Sequence, residues 1–237
     1  NKFQDFSSHL IPKIIKKNLK IYGYITREYI KDAGTVTRLK QVEYDIKNKK
    51  PYLLSYNKKM PAIFLDKDGV INKDLYNTRY QDIKKIYSKL PKAIQKINKN
   101  NYLAIVVTNQ PAIAKGFVKE TKVENDFRYL ESYLSKFKSH INRIYYCPHH
   151  PDKGFKSEIK KYKIKCNCRK PKNGMILEAI KDFNVDLTKS VMVGDRVEDY
   201  LAAKKSKIKF YFIGQKTKIK NIKNFNSLYE FTNFFFN

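Results

Sequence analysis

The chain is short of cysteine, of acidic residues and of long apolar runs, and each shortage excludes something. Three cysteines, Cys147, Cys166 and Cys168, occur in 237 residues. An odd number in one stretch cannot form a disulfide framework, and with His149 and His150 beside them the thiols point to a metal. No apolar stretch reaches membrane-spanning length, and no leader combines a charged head with an apolar body. No membrane partner is expected, and a cytoplasmic setting follows as the default. No internal repeat is present, which excludes solenoids and propellers. Only 22 acidic residues face 50 lysines and arginines, a net charge of +28. A charge of that size invites a nucleic-acid reading. The lysines, however, are spread through nearly every segment, and Asn, Ile and Tyr are abundant with them. That combination reads as coding bias toward A and T rather than a nucleic-acid footprint, while an anionic small substrate would still gain from the field.

What the chain has is enough to fold. Hydrophobic residues make up 42% and aromatics 14%, which fills a core and argues against wholesale disorder. The stretch PAIFLDKDGVIN at 61–72 organises the rest. Its apolar run at 62–65 has no helical spacing and reads as a buried parallel strand, ending on Asp66, Asp68 and Gly69. A solvated Asp-Gly turn capping a strand would look the same in isolation. Further strands are expected at 102–107, 141–146, 190–193 and 208–213. Helices are expected at 90–98, 119–137, 174–183 and 197–205, and in the Phe-rich tail. Strand and helix alternate, so the fold expected is α/β, a Rossmann-like, doubly wound and mostly parallel sheet over residues 61–237. Residues 1–50 are too few to bury a core of their own. They read as a strand at 19–25, a turn at 31–35 and a helix at 35–48 with Thr35 as N-cap. Residues 51–60, part of a polar and basic stretch, form the linker.

Four polar clusters end strands or open helices: Asp66 with Asp68, Thr108 with Asn109, Arg169 with Lys170, and Gly194-Asp195 with Asp199. A parallel sheet gathers such ends on one edge. Carboxylates that hold Mg²⁺, cations that neutralise phosphate oxygens and a carboxylate nucleophile together suit phosphoryl transfer. Separately, CPHHP and CNC bring four soft or borderline ligands together. Such a set favours a structural Zn²⁺ on Cys147, Cys166, Cys168 and either His149 or His150.

The motifs DKDGV, VVTNQ, CRKP and MVGDRVED resemble the four motifs of the haloacid dehalogenase superfamily of phosphatases, across roughly residues 61–213. The resemblance implies that Asp66 attacks phosphorus and that Asp68 serves as acid and base. It gives Thr108 and Lys170 the transferred phosphoryl group. It assigns Mg²⁺ to Asp66, Asp195 and the backbone carbonyl of Asp68, with Asp199 orienting the loop. CPHHP with CxCRKP is similar to the zinc-containing branch that holds D-glycero-D-manno-heptose 1,7-bisphosphate phosphatases and histidinol-phosphate phosphatases, where CxH spacing favours His149. The long loop before Cys166 is more like the heptose enzymes, so a heptose bisphosphate is the expected substrate and histidinol phosphate the alternative. A basic nucleic-acid-binding module or polynucleotide phosphatase is the alternative of another class. By resemblance Arg169 and Arg196 contact the substrate's phosphates, with Asp74, Asn77, Asn109 and Gln110 at the entrance. Leu75-Tyr76-Asn77 stands where the heptose enzymes usually carry a Gly-Tyr pair. Finally, IYGYITREYIKDAGTVTRLKQV resembles the last strand, DxGT turn and helix of sugar-phosphate nucleotidyltransferases, in which the aspartate matching Asp32 helps to hold a metal. The Gly-rich nucleotide loop of that family is absent here. The likeness implies a remnant without catalysis, and an upstream nucleotidyltransferase domain as a partner.

Overall fold

The computed structural model describes residues 4–24, 26–74, 80, 83, 85–152, 154–215 and 219–237. A π-helical turn (Phe6–Leu10), α1 (Ile11–Lys16), α2 (Val36–Lys47) and α3 (Lys50–Leu54) precede the sheet. There follow β1 (Ala62–Leu65), α4 (Leu90–Lys99), β2 (Leu103–Asn109), α5 (Pro111–Ala114), α6 (Glu120–Ser135) and β3 (Arg143–Cys147). The chain continues through α7 (Gly174–Phe183), β4 (Val191–Gly194), α8 (Val197–Lys205), β5 (Lys209–Ile213), β6 (Asn224–Phe225) and α9 (Leu228–Phe235).

The strands form one sheet in the order β3-β2-β1-β4-β5-β6, and every pairing is parallel. β1 explains why its sequence shows no alternation. Ile63 and Leu65 enter a layer with Ala93, Ile94 and Ile97 of α4 and Phe231 of α9. Ala62 and Phe64 enter the opposite layer with Met175, Ile176 and Ala179 of α7 and Ala202 of α8. A strand covered on both faces must be apolar throughout. From β1 the chain steps outward through β2 and β3, then crosses back to lay β4, β5 and β6 on the other side. The reversal opens a crevice at the carboxyl ends of β1 and β4.

Where the fold departs from expectation, the reasons are local. Among the described residues, 19–24 form no strand: no neighbour offers them a ladder, and Ile25 lies outside those residues. Thr35 does cap α2, its Oγ1 accepting from Arg38 N at 3.3 Å. Asp32 is occupied locally, with Oδ1 accepting from Gly34 N at 2.9 Å and the other oxygen paired with Arg38. Ile21, Tyr22, Tyr24, Ile30, Val36 and Leu39 stay exposed, as a piece too small for its own core requires. Residues 51–60 carry most of α3 and are tied to their neighbours. Tyr56 OH donates to Lys181 O at 2.6 Å, and buried Arg27 donates from Nη2 to Ser55 O at 2.5 Å and Tyr56 O at 3.0 Å. β6, at two residues, is too short to leave a period in the sequence.

Candidate active site and metal centre

The crevice collects the strand-end residues in one place. Oxygens of Asp66, Asp195 and Asp199 lie within 4.8 Å of one another. Lys170 Nζ sits among them, 2.7 Å from Asp66 Oδ1, 2.6 Å from Asp199 Oδ1 and 2.8 Å from Val107 O. Each position has a structural cause. Asp66 follows β1 directly, and its N–H donates to Val193 O at 3.0 Å. Asp199 is the third residue of α8, and its Oδ2 accepts from Asp195 N at 3.2 Å and Arg196 N at 3.1 Å, fixing the loop after β4. Gly69, at φ +88°, passes so close that an added Cβ would lie 2.1 Å from Asp195 Oδ2.

Three carboxylates face Lys170 and, 4.0 Å from Asp195 Oδ1, the Arg196 Nε whose guanidinium also pairs with Asp74, so negative charge stays in excess in a largely buried place. Burial, then the charge of Asp199, pushes the Asp66 carboxyl up to about 6 against the pull of Lys170. Burial, then Asp66 and Asp199, pushes Asp195 up to about 8. Burial alone would lower Lys170, but Asp199 and Asp66 outweigh it and hold the ammonium above its ordinary value. An excess of hard oxygen donors that resist ionising together is the donor chemistry a divalent cation such as Mg²⁺ satisfies.

Asp68 stands apart from that trio. Its Oδ1 accepts from Asn72 Nδ2 at 2.9 Å and from Lys67 Nζ, and its Oδ2 from Gln110 Nε2 at 3.3 Å. Gln110 also reaches Thr108 Oγ1 at 3.1 Å, so one amide sets two residues of the crevice. The Asn109 side chain clamps the peptide of Lys170, donating to its O at 3.1 Å and accepting from its N at 3.0 Å. Arg169 Nη1 donates to His149 O at 3.4 Å, and Arg196 pairs with Asp74. All of these line one cleft of about 310 Å³, except His149 and the buried Lys67 and Asn72. Asp195 adjoins the cleft through Asp66 and Asp199. Asn77 lies outside the described residues, as does the Leu75-Tyr76-Asn77 departure. The sequence reading missed Lys67, Asn72, Lys115 and Tyr80. A lysine between two strand-end aspartates was the available signal for Lys67, whereas Lys115 carried none among so many lysines.

The second cluster closes around the other loop. Cys147 Sγ lies 3.5 Å from Cys166 Sγ and 3.2 Å from Cys168 Sγ, and the last two are 3.3 Å apart. His149 Nδ1 is 3.6 Å from Cys147 Sγ and 3.3 Å from Cys168 Sγ. A disulfide needs sulfurs at about 2 Å, whereas a tetrahedral metal with bonds of about 2.3 Å sets its thiolates roughly 3.8 Å apart. The observed 3.2–3.5 Å excludes a disulfide and lies nearer the spacing of a metal's thiolates. Cys168 is pushed down to about 5, first by the hydrogen bond with Cys147, against burial, and then by Cys166 and His149. His150 is turned away, its Nδ1 accepting from Asp152 N at 3.3 Å.

With this geometry in place, likeness to known proteins becomes informative. A profile of haloacid dehalogenase-like hydrolases matches residues 7–207. The chain belongs to that family. D-glycero-beta-D-manno-heptose-1,7-bisphosphate 7-phosphatase of Haemophilus influenzae is 40% identical over 149 residues, 62% of this chain and 78% of that protein. The enzyme of the same name from Escherichia coli K12 is 36% identical over 146 residues, covering 62% and 74%. The crystal structure of D,D-heptose 1,7-bisphosphate phosphatase from B. bronchiseptica, complexed with magnesium and phosphate, matches with a TM-score of 0.63. It is 22% identical and covers 75% of this chain and 98% of that one, a likeness of fold. The names of these relatives lend no support to a nucleotidyltransferase partner.

Proposed function

We propose that the protein is a magnesium-dependent phosphomonoesterase that removes the 7-phosphate from D-glycero-D-manno-heptose 1,7-bisphosphate. One conjunction carries the reading. A carboxylate–lysine centre and a Cys/His centre coexist in a chain 36–40% identical to enzymes of that name. Asp66 supplies the nucleophile. Its Oδ1 is held by Lys170, so the other oxygen attacks phosphorus while the bond to the sugar oxygen breaks, leaving an aspartyl-phosphate. Asp68 gives a proton to the departing sugar oxygen. It then takes one from a water whose oxygen attacks phosphorus, which releases phosphate and restores Asp66.

Thr108 and Lys170 hold the non-bridging oxygens, and the bonds from Lys170 to Asp66, Asp199 and Val107 O aim it before substrate arrives. Asp66, Asp195 and the backbone carbonyl of Asp68 would hold Mg²⁺, which when bound supplies the positive charge that lets a carboxylate approach an anionic phosphate. Arg169 and Arg196 contact the substrate's phosphates in this reading, and Asp74 and Asn77 border the entrance. We assign Zn²⁺ to Cys147, His149, Cys166 and Cys168, where it fixes the loop leading into Arg169 and Lys170.

The same reading sets residues 1–50 and the connection at 51–60 as a strap on the hydrolase domain at 61–237. A sugar-phosphate nucleotidyltransferase would be a fitting neighbour, since it would take up a heptose 1-phosphate product. A cytoplasmic setting suits three reduced thiols in one metal site. No helix among the described residues is long and apolar enough to cross a membrane.

Phosphate release from the heptose bisphosphate, histidinol phosphate and a 5′-phosphorylated oligonucleotide tests the proposal. The heptose compound should be turned over with at least about tenfold higher efficiency, the discrimination a pocket gains from a modest binding difference. Equal or better turnover of either competitor overturns it.

A further inference from the structure

Beside Arg169, the cleft carries a further cation, Lys115, that the chemistry above does not use. Lys115 follows α5 and lines the cleft. Its ammonium lies 4.7 Å from the centre of the Phe155 ring, and Lys163 Nζ lies 5.0 Å from the same ring. Phe155 stands edge-on to Phe117 at 5.9 Å and to His150 at 6.2 Å. Arg169, also lining the cleft, is close enough for its charge to act on Lys115. The carboxylates that meet this group are Asp152, whose charge acts on Lys115, and Glu158, 3.6 Å from Lys163.

These cations are not comfortable together. Burial first, then Arg169 and Lys163, holds the Lys115 ammonium below the ordinary lysine value. The Lys163 side chain is only 4% exposed, and its Nζ donates no hydrogen bond among the described residues. Buried charge left short of partners is destabilising by itself and becomes favourable when a counter-charge enters. The charges that act on Lys115 are those of Arg169, Lys163 and Asp152.

Backbone contacts lock it in place. Ile159 N donates to Ala114 O at 3.0 Å. Gly116, at φ +71°, runs so near the facing loop that a Cβ would lie 1.7 Å from Ser157 O. The loop between His149 and Cys166, pinned at both ends by the Cys/His centre, therefore rests directly on the turn that carries Lys115.

We propose that Lys115, together with Arg169, receives the second, non-reacting phosphate of a bisphosphate substrate. Lys163 is a positioning residue that holds Phe155 and reinforces the charge from behind. This deepens the sugar-bisphosphate reading and rests on it: it names the residues that choose a bisphosphate over a monophosphate. The cleft, at about 310 Å³, is of the size that holds such a small ligand. Energy from the remote phosphate is then available to align the reacting one.

Steady-state kinetics on substrate pairs that differ only in the second phosphate test the assignment: heptose 1,7-bisphosphate with heptose 7-phosphate, and fructose 1,6-bisphosphate with fructose 6-phosphate. Lys115→Met should lower kcat/KM for the preferred bisphosphate by about 10- to 100-fold, the worth of a hydrogen bond to a charged group, and leave its monophosphate partner nearly unchanged. Lys115→Arg should restore most of the loss. Lys163→Met should weaken the bisphosphate preference severalfold while raising Tm, a pairing of effects that a purely structural residue would not give. Equal loss on both members of a pair, an undiminished preference in Lys115→Met, or a wild type without preference overturns the assignment. Preference for the bisphosphate of another sugar, erased by Lys115→Met, supports the Lys115 assignment and removes only the heptose. A wild type that turns over no member of the panel overturns both readings.

Discussion

The carboxylate centre and the Cys/His centre are built by opposite means. Asp66, Asp195 and Asp199 meet because β1 and β4 are neighbours with a crossover between them, so the sheet would bring those positions together whatever their side chains. Cys147 leaves β3, but Cys166 and Cys168 arrive on a long polar loop with little regular structure beyond one turn of 3₁₀ helix at Lys160–Tyr162. There the side chains and the ion they would hold are the architecture. A substitution in the first centre should therefore remove chemistry and spare the fold, and one in the second should do the reverse.

The largest effect expected is on turnover. Asp66→Asn should cut phosphate release by roughly 10⁴-fold, as loss of a nucleophile does. Folding should survive, because Lys170 keeps Asp199 at 2.6 Å and the amide no longer resists burial as the carboxylate does. Thermal melts at pH 8 should show Tm unchanged or higher. Substantial phosphate release from this variant would show that Asp66 is not the nucleophile.

Next in size is the effect on the other centre. The purified protein should hold about one zinc per chain, since four ligands make a closed site. Cys166→Ser should lower stability by roughly 3 kcal/mol, in the range of a lost metal site, and should open the 147–169 loop to protease. Activity should fall with it, because Arg169 and Lys170 follow Cys168 directly. Elemental analysis that finds no metal would remove this centre from the account. Full metal content in His149→Ala would move the ligand to His150.

The same contrast governs what could be read from the chain. The sheet was legible because strands buried on both faces leave apolar runs such as 62–65, and the polar residues ending those runs were then bound to share an edge. α7 and α8 fall at the expected boundaries, α7 because Met175, Ile176, Ala179 and Phe183 give it a periodic buried face, α8 without a marked one. The three cysteines with a neighbouring histidine were legible from residue type, whereas the choice of His149 over His150 came from the family resemblance. Illegible were contacts that depend on the path of a loop. Nothing in sequence tells Lys115 from other surface lysines, because what distinguishes it is Phe155, forty residues away, and a carbonyl at Ser157. Over its described residues, 19–24, the expected strand failed for a related reason: a strand is a property of a pair, and no described strand pairs with them. Asn77, expected at the cleft entrance, lies outside the described residues.

A smaller effect should separate the two centres by pH. In protein freed of divalent cations, Asp195 sits at about 8, far above its value in an unfolded chain. The folded state thus holds a proton that the unfolded state gives up, so stability falls as pH rises from the ordinary carboxylate range toward that value and levels off above it. Between pH 6.5 and 8.5 the loss should be about 1–2 kcal/mol by denaturant titration. Magnesium at saturating concentration should flatten the slope, because a bound cation favours the ionised carboxylate in the fold. A slope that persists unchanged with magnesium, or one of opposite sign, would place the titrating group elsewhere.

The smallest effect concerns the charge that dominates the composition. Lys49, Lys50, Lys58 and Lys59, on the basic stretch that precedes β1, are not among the residues lining the cleft, and three of them are exposed. Lys50 reaches Asp45 at 3.5 Å, and Lys58 lies 4.5 Å from the centre of the Tyr52 ring, contacts worth at most about 1 kcal/mol each at a surface. Salt screens exposed charges within about 8 Å at physiological ionic strength, so such lysines add little attraction for a small anion in the cleft. Arg169 lines that cleft and should lose far less to screening. Reversing all four linker lysines to glutamate should change kcat/KM by less than about twofold, whereas Arg169→Ala should lower it by more than tenfold, the difference between a screened rim charge and one that meets its ligand. The comparison should hold from low salt to physiological salt. Single-stranded DNA should compete weakly at the upper end, since scattered lysines release few counterions at any one place. Tight DNA binding at physiological salt, abolished by the reversals, would make the linker a functional surface and the net charge a selected property.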